Sequence, residues 1–150
     1  MENKVIVRAA TGYDVEALTN NLRKEDIEEI EALGVTPYEA LGEGYVFSTE
    51  CYALTLYDKT IGLFGVSTYK MPEGYASIWF LGSEETNHIP YEWLIVGKEY
   101  INKFLNEYGI LTNIVSKKNK LHIKWLKRMG AVFEEAPIDG FKQFFILKEM

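Results

Sequence analysis

The chain has 150 residues, 47% of them hydrophobic and 25% charged, with a formal net charge of −6 at pH 7; that is enough apolar material for one contiguous core. The negative balance disfavours general binding to nucleic acid or to anionic membranes, because both repel the averaged field. Cys51 is the only cysteine, so no intramolecular disulfide can form, no Cys/His group has zinc spacing, and an intracellular protein without a metal is expected.

Within residues 1–8 only Val5, Ile6 and Val7 interrupt the polar run beyond the initial Met, far short of a signal-peptide core or a membrane span, which predicts a cytoplasmic protein. No repeat, low-complexity tract or linker composition divides the chain, and a single domain over residues 1–150 is expected.

Taken in order, residues 5–7 are β-branched and predict a short strand, and Thr11 with Asp14 has the spacing of a helix-capping box ahead of the apolar stripe Val15, Leu18 and Leu22. A second helix is predicted from about Lys24 to Leu33, with Ile27, Ile30 and Leu33 inward, an acidic opposite face, and Gly34 as its stop. Residues 51–57 and 60–67 flank Asp58-Lys59 as a hairpin, and a third strand, 75–82, follows the turn signal Pro72-Glu73-Gly74.

After Pro90 comes the longest helical pattern, carrying Leu94, Ile101, Phe104, Leu105 and Tyr108 and ending at Gly109. Residues 110–116 predict a buried strand, 120–129 a helix with Ile123 and Leu126 inward, and 131–136 and 141–148 two strands joined through Asp139-Gly140. The order predicts an α/β (α+β) fold: a central mixed, mostly antiparallel sheet of about seven strands flanked by four helices, with one parallel pair made by the crossover after residue 82.

That order resembles the GNAT family of N-acetyltransferases. The opening residues Val7, Arg8, Thr11, Asp14 and Leu18 are similar to its entry motif, and Asn119, Ile123, Leu126, Gly130 and Phe133 to the signature of its last helix and strand. Residues 26–34 with Pro37, Ile78-Trp79-Phe80 with Ser83, Asn119, and His122-Ile123 through Phe133 further resemble a group of GNAT-like proteins that T7-like tailed phages encode among their virion-assembly genes. The resemblance implies a phage origin and a part in assembling the virion interior.

A GNAT enzyme holds the pyrophosphate of acyl-CoA on backbone N–H groups at a helix N-terminus. The matching stretch here, residues 82–90, lacks the glycines of the family loop, carries Glu84 and Glu85, and ends in Pro90, which has no N–H to donate. Each glutamate would repel phosphate by roughly 1 kcal/mol at close approach in water-like dielectric. The tyrosine that protonates the departing thiolate in many members is Leu126 here.

If acetyl-CoA is used, the resemblance places its pantetheine chain against Trp79, Phe80, Leu81 and Gly82, with Ser116 and Asn119 on the opposite wall. The Leu81 backbone N–H would polarise the thioester, His122 would stand in as the acid, and Asp26 or Glu29 would take the amine proton of an unknown acceptor. Against each role stands a plainer one: core aromatics for Trp79 and Phe80, a helix cap for Asn119, a helix-surface histidine for His122, and a solvated face for the acidic run.

The basic cluster Lys117, Lys118, Lys120, Lys124, Lys127 and Arg128 admits the same plain reading, or contact with a phosphate or an acidic partner. Two classes of function therefore stand: a GNAT-type acyl-CoA N-acyltransferase with a degenerate cofactor loop, or a non-catalytic virion-assembly or host-interaction protein on that scaffold. Partners to expect are acyl-CoA with an amine, a phage or host protein, or a second copy in a homodimer.

Overall fold

The computed structural model describes residues 4–148, so residues 1–3 of the stretch read for an export signal lie outside it. β1 (Val5–Ala9) leads into three helices, α1 (Gly12–Thr19), α2 (Lys24–Ala32) and α3 (Pro37–Phe47). A meander of β2 (Glu50–Leu56), β3 (Lys59–Ser67) and β4 (Tyr75–Gly82) follows, then a 3-10 turn at Glu84–His88 and the long α4 (Pro90–Tyr108). β5 (Ile110–Ser116), α5 (Lys120–Arg128), β6 (Val132–Glu135) and β7 (Phe141–Ile146) complete the described chain.

The strands form one seven-stranded sheet in the order β1-β2-β3-β4-β5-β7-β6. β4 and β5 run parallel and every other neighbouring pair is antiparallel, as expected for a single crossover. The β2–β3 hairpin turns one residue earlier than the sequence suggests: Tyr57 and Asp58 both adopt positive φ, 48° and 65°, the geometry that matches the strands' right-handed twist.

Five α-helices flank the sheet among the described residues, where four were expected. The additional one, α3, starts with a capping box in which Thr36 Oγ1 accepts from Glu39 N and Glu39 Oε1 accepts from Thr36 N, both at 3.2 Å, with Pro37 in the first turn. Gly42 and Gly44 dilute its helical pattern in the sequence. Tertiary packing explains Gly44, since a Cβ there would lie 2.6 Å from the Trp79 ring.

α1, α2 and α3 cover one face of the sheet through Leu18, Ile30, Leu41, Leu63 and Leu81. α4 and α5 cover the other through Phe64, Trp93, Phe104, Leu111 and Leu126. The functional interest lies where β4 and β5 part: their parallel register covers only Tyr75–Ser77 against Ile110–Thr112, and Asn113 Nδ2 then reaches across to Ile78 O at 2.8 Å. Among the described residues no helix is long and apolar enough to cross a membrane.

Candidate cleft site

The wedge between β4 and β5 is filled from α2. Arg23 N donates to Gly82 O at 2.8 Å, and Asp26 Oδ2 accepts from Gly82 N at 3.0 Å, so the first turn of α2 is tied to the end of β4 from both sides. One turn on, Glu29 Oε1 accepts from Ser116 N at 2.5 Å, tying the same helix to the end of β5. The i, i+3 spacing puts both carboxylates on one side of α2.

Arg23, Asp26 and Asn119 are almost wholly buried, at 1%, 0% and 1% exposure, and the cluster is closely hydrogen-bonded. Arg23 Nη2 donates to Asp26 Oδ1 at 2.8 Å and Arg23 Nη1 to Asn87 Oδ1 at 3.2 Å. Asn119 Nδ2 donates to Asp26 Oδ1 at 3.3 Å and to Glu29 Oε2 at 3.2 Å. The two inward carboxylates thus share the Asn119 amide, while the guanidinium pairs with Asp26 and, at 3.9 Å, with Glu25. Burial, with repulsion from Asp26, pushes the Glu29 carboxyl up to about 6 against the pull of Ser116 N–H and Asn119.

His122 lies over this cluster, Nε2 3.7 Å from Asp26 Oδ1 and its ring edge-on to Phe80 at 5.7 Å. Burial holds its imidazole below the ordinary range, which favours the neutral form. Asp26, Glu29 and His122 each bring a ligand atom within 4.8 Å of the others, a grouping that linear spacing does not reveal. The lone pairs of Asp26 go instead to Arg23, Asn119 and Gly82 N, and the guanidinium supplies the positive charge that a metal ion would bring.

Several plain readings need correction. Asn119 occupies the cap position of α5 but makes no side-chain cap bond; its amide serves Asp26 and Glu29. His122 is not a surface residue, since only 17% of its side chain is exposed. Of the acidic run, Glu28 and Glu31 are exposed while Asp26 and Glu29 turn inward, because β4 and β5 leave unpaired N–H groups for them to accept.

Trp79 and Phe80 are partly buried on opposite faces of β4, each packed against one of the two apolar clusters and lining the space between the strands. Trp79 Nε1 donates to Ser48 Oγ at 2.7 Å, and the Phe80 ring lies 4.4 Å from that of Trp93. The side chains of Leu81 and Leu126 are buried on the two sides of the sheet, and Leu126 has no proton to give. In the loop after β4, Glu85 pairs with Lys59 and Glu84 accepts from Asn87 Nδ2 at 2.9 Å, so its negative charge is fixed beside the start of α4.

The structure thus brings Asp26, Glu29, Ser116, Asn119 and His122 together, along with Gly82 N. The residue missed in the sequence is Arg23: its signal was a cation directly before an acidic helix, with nothing local to mark it as buried. Beside this cluster an apolar cavity of about 250 Å³ runs through the wedge, lined by Ile78, Trp79, Leu81, Trp93, Val115 and Trp125 among others.

Comparison with known proteins agrees with this architecture. A family described as Bacteriophage T7 probable scaffold protein Gp13 matches residues 73–136. The probable scaffold protein gp13 of Escherichia phage T7 is 30% identical over 152 residues, spanning 94% of this chain and 95% of that protein. Among solved structures, a domain from Methanocaldococcus jannaschii superposes with a TM-score of 0.76 at 14% identity over 98% of this chain and all of that one.

The GNAT domain of S. lividans PAT gives 0.72 at 15% identity, covering 97% of both chains. The ribosomal-protein-S18-alanine N-acetyltransferase of Escherichia coli gives 0.68 at 11% identity, covering 98% of this chain and 96% of that one. At these identities the likeness establishes the GNAT fold and no activity.

Proposed function

Because the chain belongs to the family of the probable scaffold protein gp13 of phage T7, we propose that it works in phage virion assembly as a non-catalytic protein on a GNAT scaffold. It would act in the cytoplasm of the infected cell. One observation carries this: Asp26 and Glu29 accept from Gly82 N and Ser116 N, on the strand ends that resemblance to GNAT enzymes assigns to the pantetheine chain.

A ligand entering the wedge must displace two charge-assisted bonds, each worth about 1.5–3 kcal/mol. The combined cost, roughly 3–6 kcal/mol, weakens binding about 10²–10⁴-fold. Glu29 in the wedge and Glu84 beyond it, neither in an ion pair among the described residues, add repulsion for the phosphates of CoA. Calorimetric titration with acetyl-CoA at millimolar concentration is expected to give no saturable heat; stoichiometric binding with acyl transfer to any amine would overturn the proposal.

The 250 Å³ apolar cavity beside Trp79 and Leu81 is the observation that favours the enzymatic alternative, since an acyl group could lodge there with His122 at its edge. In that reading acetyl-CoA is the cofactor and Asp26–Gly82 opens on binding. The same titration decides it, as does acetyl transfer that is lost in His122→Gln.

A further inference from the structure

Helices α5 and α3, on opposite faces of the sheet, expose opposite charge, each mixed with apolar side chains. α5 carries Lys120, Lys124, Lys127 and Arg128 and no acidic residue, and none of these four forms an ion pair among the described residues. Beside it, between α4 and α5, runs an open groove of about 370 Å³ floored by Leu94 and Trp125 and bordered by Tyr91, Leu121, Lys124 and Arg128. Tyr91 is 71% exposed and Leu121 49%.

On the other face, α3 buries only Leu41 and turns Tyr38, Glu39, Glu43, Tyr45 and Val46 to solvent. Glu39, Glu43 and Val46 stack at four- and three-residue spacing into one acidic stripe, and Tyr38 and Tyr45, seven residues apart, line an aromatic stripe about a quarter-turn round the same exposed side of the helix; the two stripes together form a ridge. The groove is apolar and basic; the ridge is apolar and acidic.

We infer that the α3 ridge of one copy docks in the α4–α5 groove of a second copy, so that the protein self-associates head to tail. Because ridge and groove lie on opposite faces of the sheet, one copy cannot satisfy both by itself. The contact is therefore heterologous: each docking leaves a free groove at one end and a free ridge at the other, and growth continues until a ring closes or a filament forms. Glu39 and Glu43 meet Lys124 and Arg128, which steers the encounter, while the aromatics supply the buried area. A stable contact needs about 800 Å² per partner, roughly a tenth of the 8633 Å² surface. The inference rests on the non-catalytic reading, because the groove also takes in Thr86, Asn87 and Pro90 of the loop that would face acyl-CoA, and His122; sedimentation without ligand and the acetyl-CoA titration fail separately.

Sedimentation velocity on the whole chain at micromolar concentrations tests it. Mass is expected to rise with concentration and to fall with added salt, which screens the rim charges. A groove variant, Lys124→Glu with Arg128→Glu, and a ridge variant, Glu43→Lys with Val46→Lys, should each lose association by at least about tenfold through like-charge contact. All four positions are exposed, and Glu39 is left in place because it caps α3. Mixing the two variants should restore association, since each reversed surface then finds its complement. A chain that stays monomeric throughout, variants that associate as before, or a mixture that stays monomeric would each overturn the inference. So would displacement of the second copy by CoA or by single-stranded DNA with no recovery in the mixture.

Discussion

Asp26→Asn isolates the charge at the centre of the wedge while keeping its shape. The Arg23 and Asp26 side chains are 1% and 0% exposed and 2.8 Å apart, so the substitution leaves a buried guanidinium whose remaining ion-pair partner is the half-exposed Glu25 at 3.9 Å. Breaking a buried pair from one side costs about 3–5 kcal/mol, because the remaining ion keeps its desolvation penalty and loses its partner. The Asn carbonyl can still accept from Gly82 N, so nearly all of this loss is electrostatic. For a chain of this size each kcal/mol moves Tm by roughly 2–4 °C, giving a fall of roughly 6–20 °C. Urea and thermal unfolding followed by circular dichroism measure it. The companion variant, Arg23→Met with Asp26→Leu, removes both charges and is expected to be more stable than either single variant. A loss below about 1 kcal/mol for Asp26→Asn, or a double variant worse than both singles, would refute the view that this is a desolvated, mutually dependent pair.

Glu29 titrates in the folded protein at about 6, above its ordinary 4.5, so its contribution is fully present below pH 4.5 and is lost as pH rises through 6, by about 2 kcal/mol. Glu29→Gln should match the unsubstituted chain near pH 4 and exceed it at pH 7 in calorimetric stability; the buried, lowered His122 works in the opposite direction but cancels in the difference. No gain at pH 7 would disprove it. Gly97→Ala places a Cβ 2.2 Å from the Trp125 ring, which is stacked on Trp93 at 5.1 Å. The overpacking, about 1–3 kcal/mol and at the upper end for so close a contact, should outweigh the ~1 kcal/mol gained in helix propensity, read as a lower urea midpoint. Burial pushes the Cys51 thiol up to about 12, so it should resist alkylation at pH 8 in the folded chain and react once unfolded; equal rates in both states would contradict this.

Most of the sheet was legible because β-strand patterns and turn residues are local. β4 and β5 occupy the expected residues, and Gly34, Gly109, Gly130 and Gly140 all take the positive φ that a chain reversal demands. α3 was missed although its capping box and Pro37 were present, because Gly42 and Gly44 interrupt its pattern and Gly44 is explained only by the distant Trp79 ring.

The site was legible in part. Residues 82–90 and Leu126 already departed from the GNAT pattern, and Ser116, Asn119, Asp26 and Glu29 were each picked out, but as separate candidates facing a ligand or solvent. Nothing in the spacing of Arg23, Asp26, Gly82, Ser116 and Asn119 says that they satisfy one another, since the hydrogen bonds among them include one between residues 96 apart in the chain.

The sequence by itself determined the order of elements, the GNAT-type sheet with its single parallel pair, and the loss of the glycine-rich loop, because propensity, periodicity and turn chemistry act between near neighbours. Only the tertiary structure decided where the acidic helix points. β4 and β5 diverge after three paired residues and leave buried N–H groups that require acceptors, and α2, tied to Gly82 through Arg23 and Asp26, supplies them to Gly82 and Ser116.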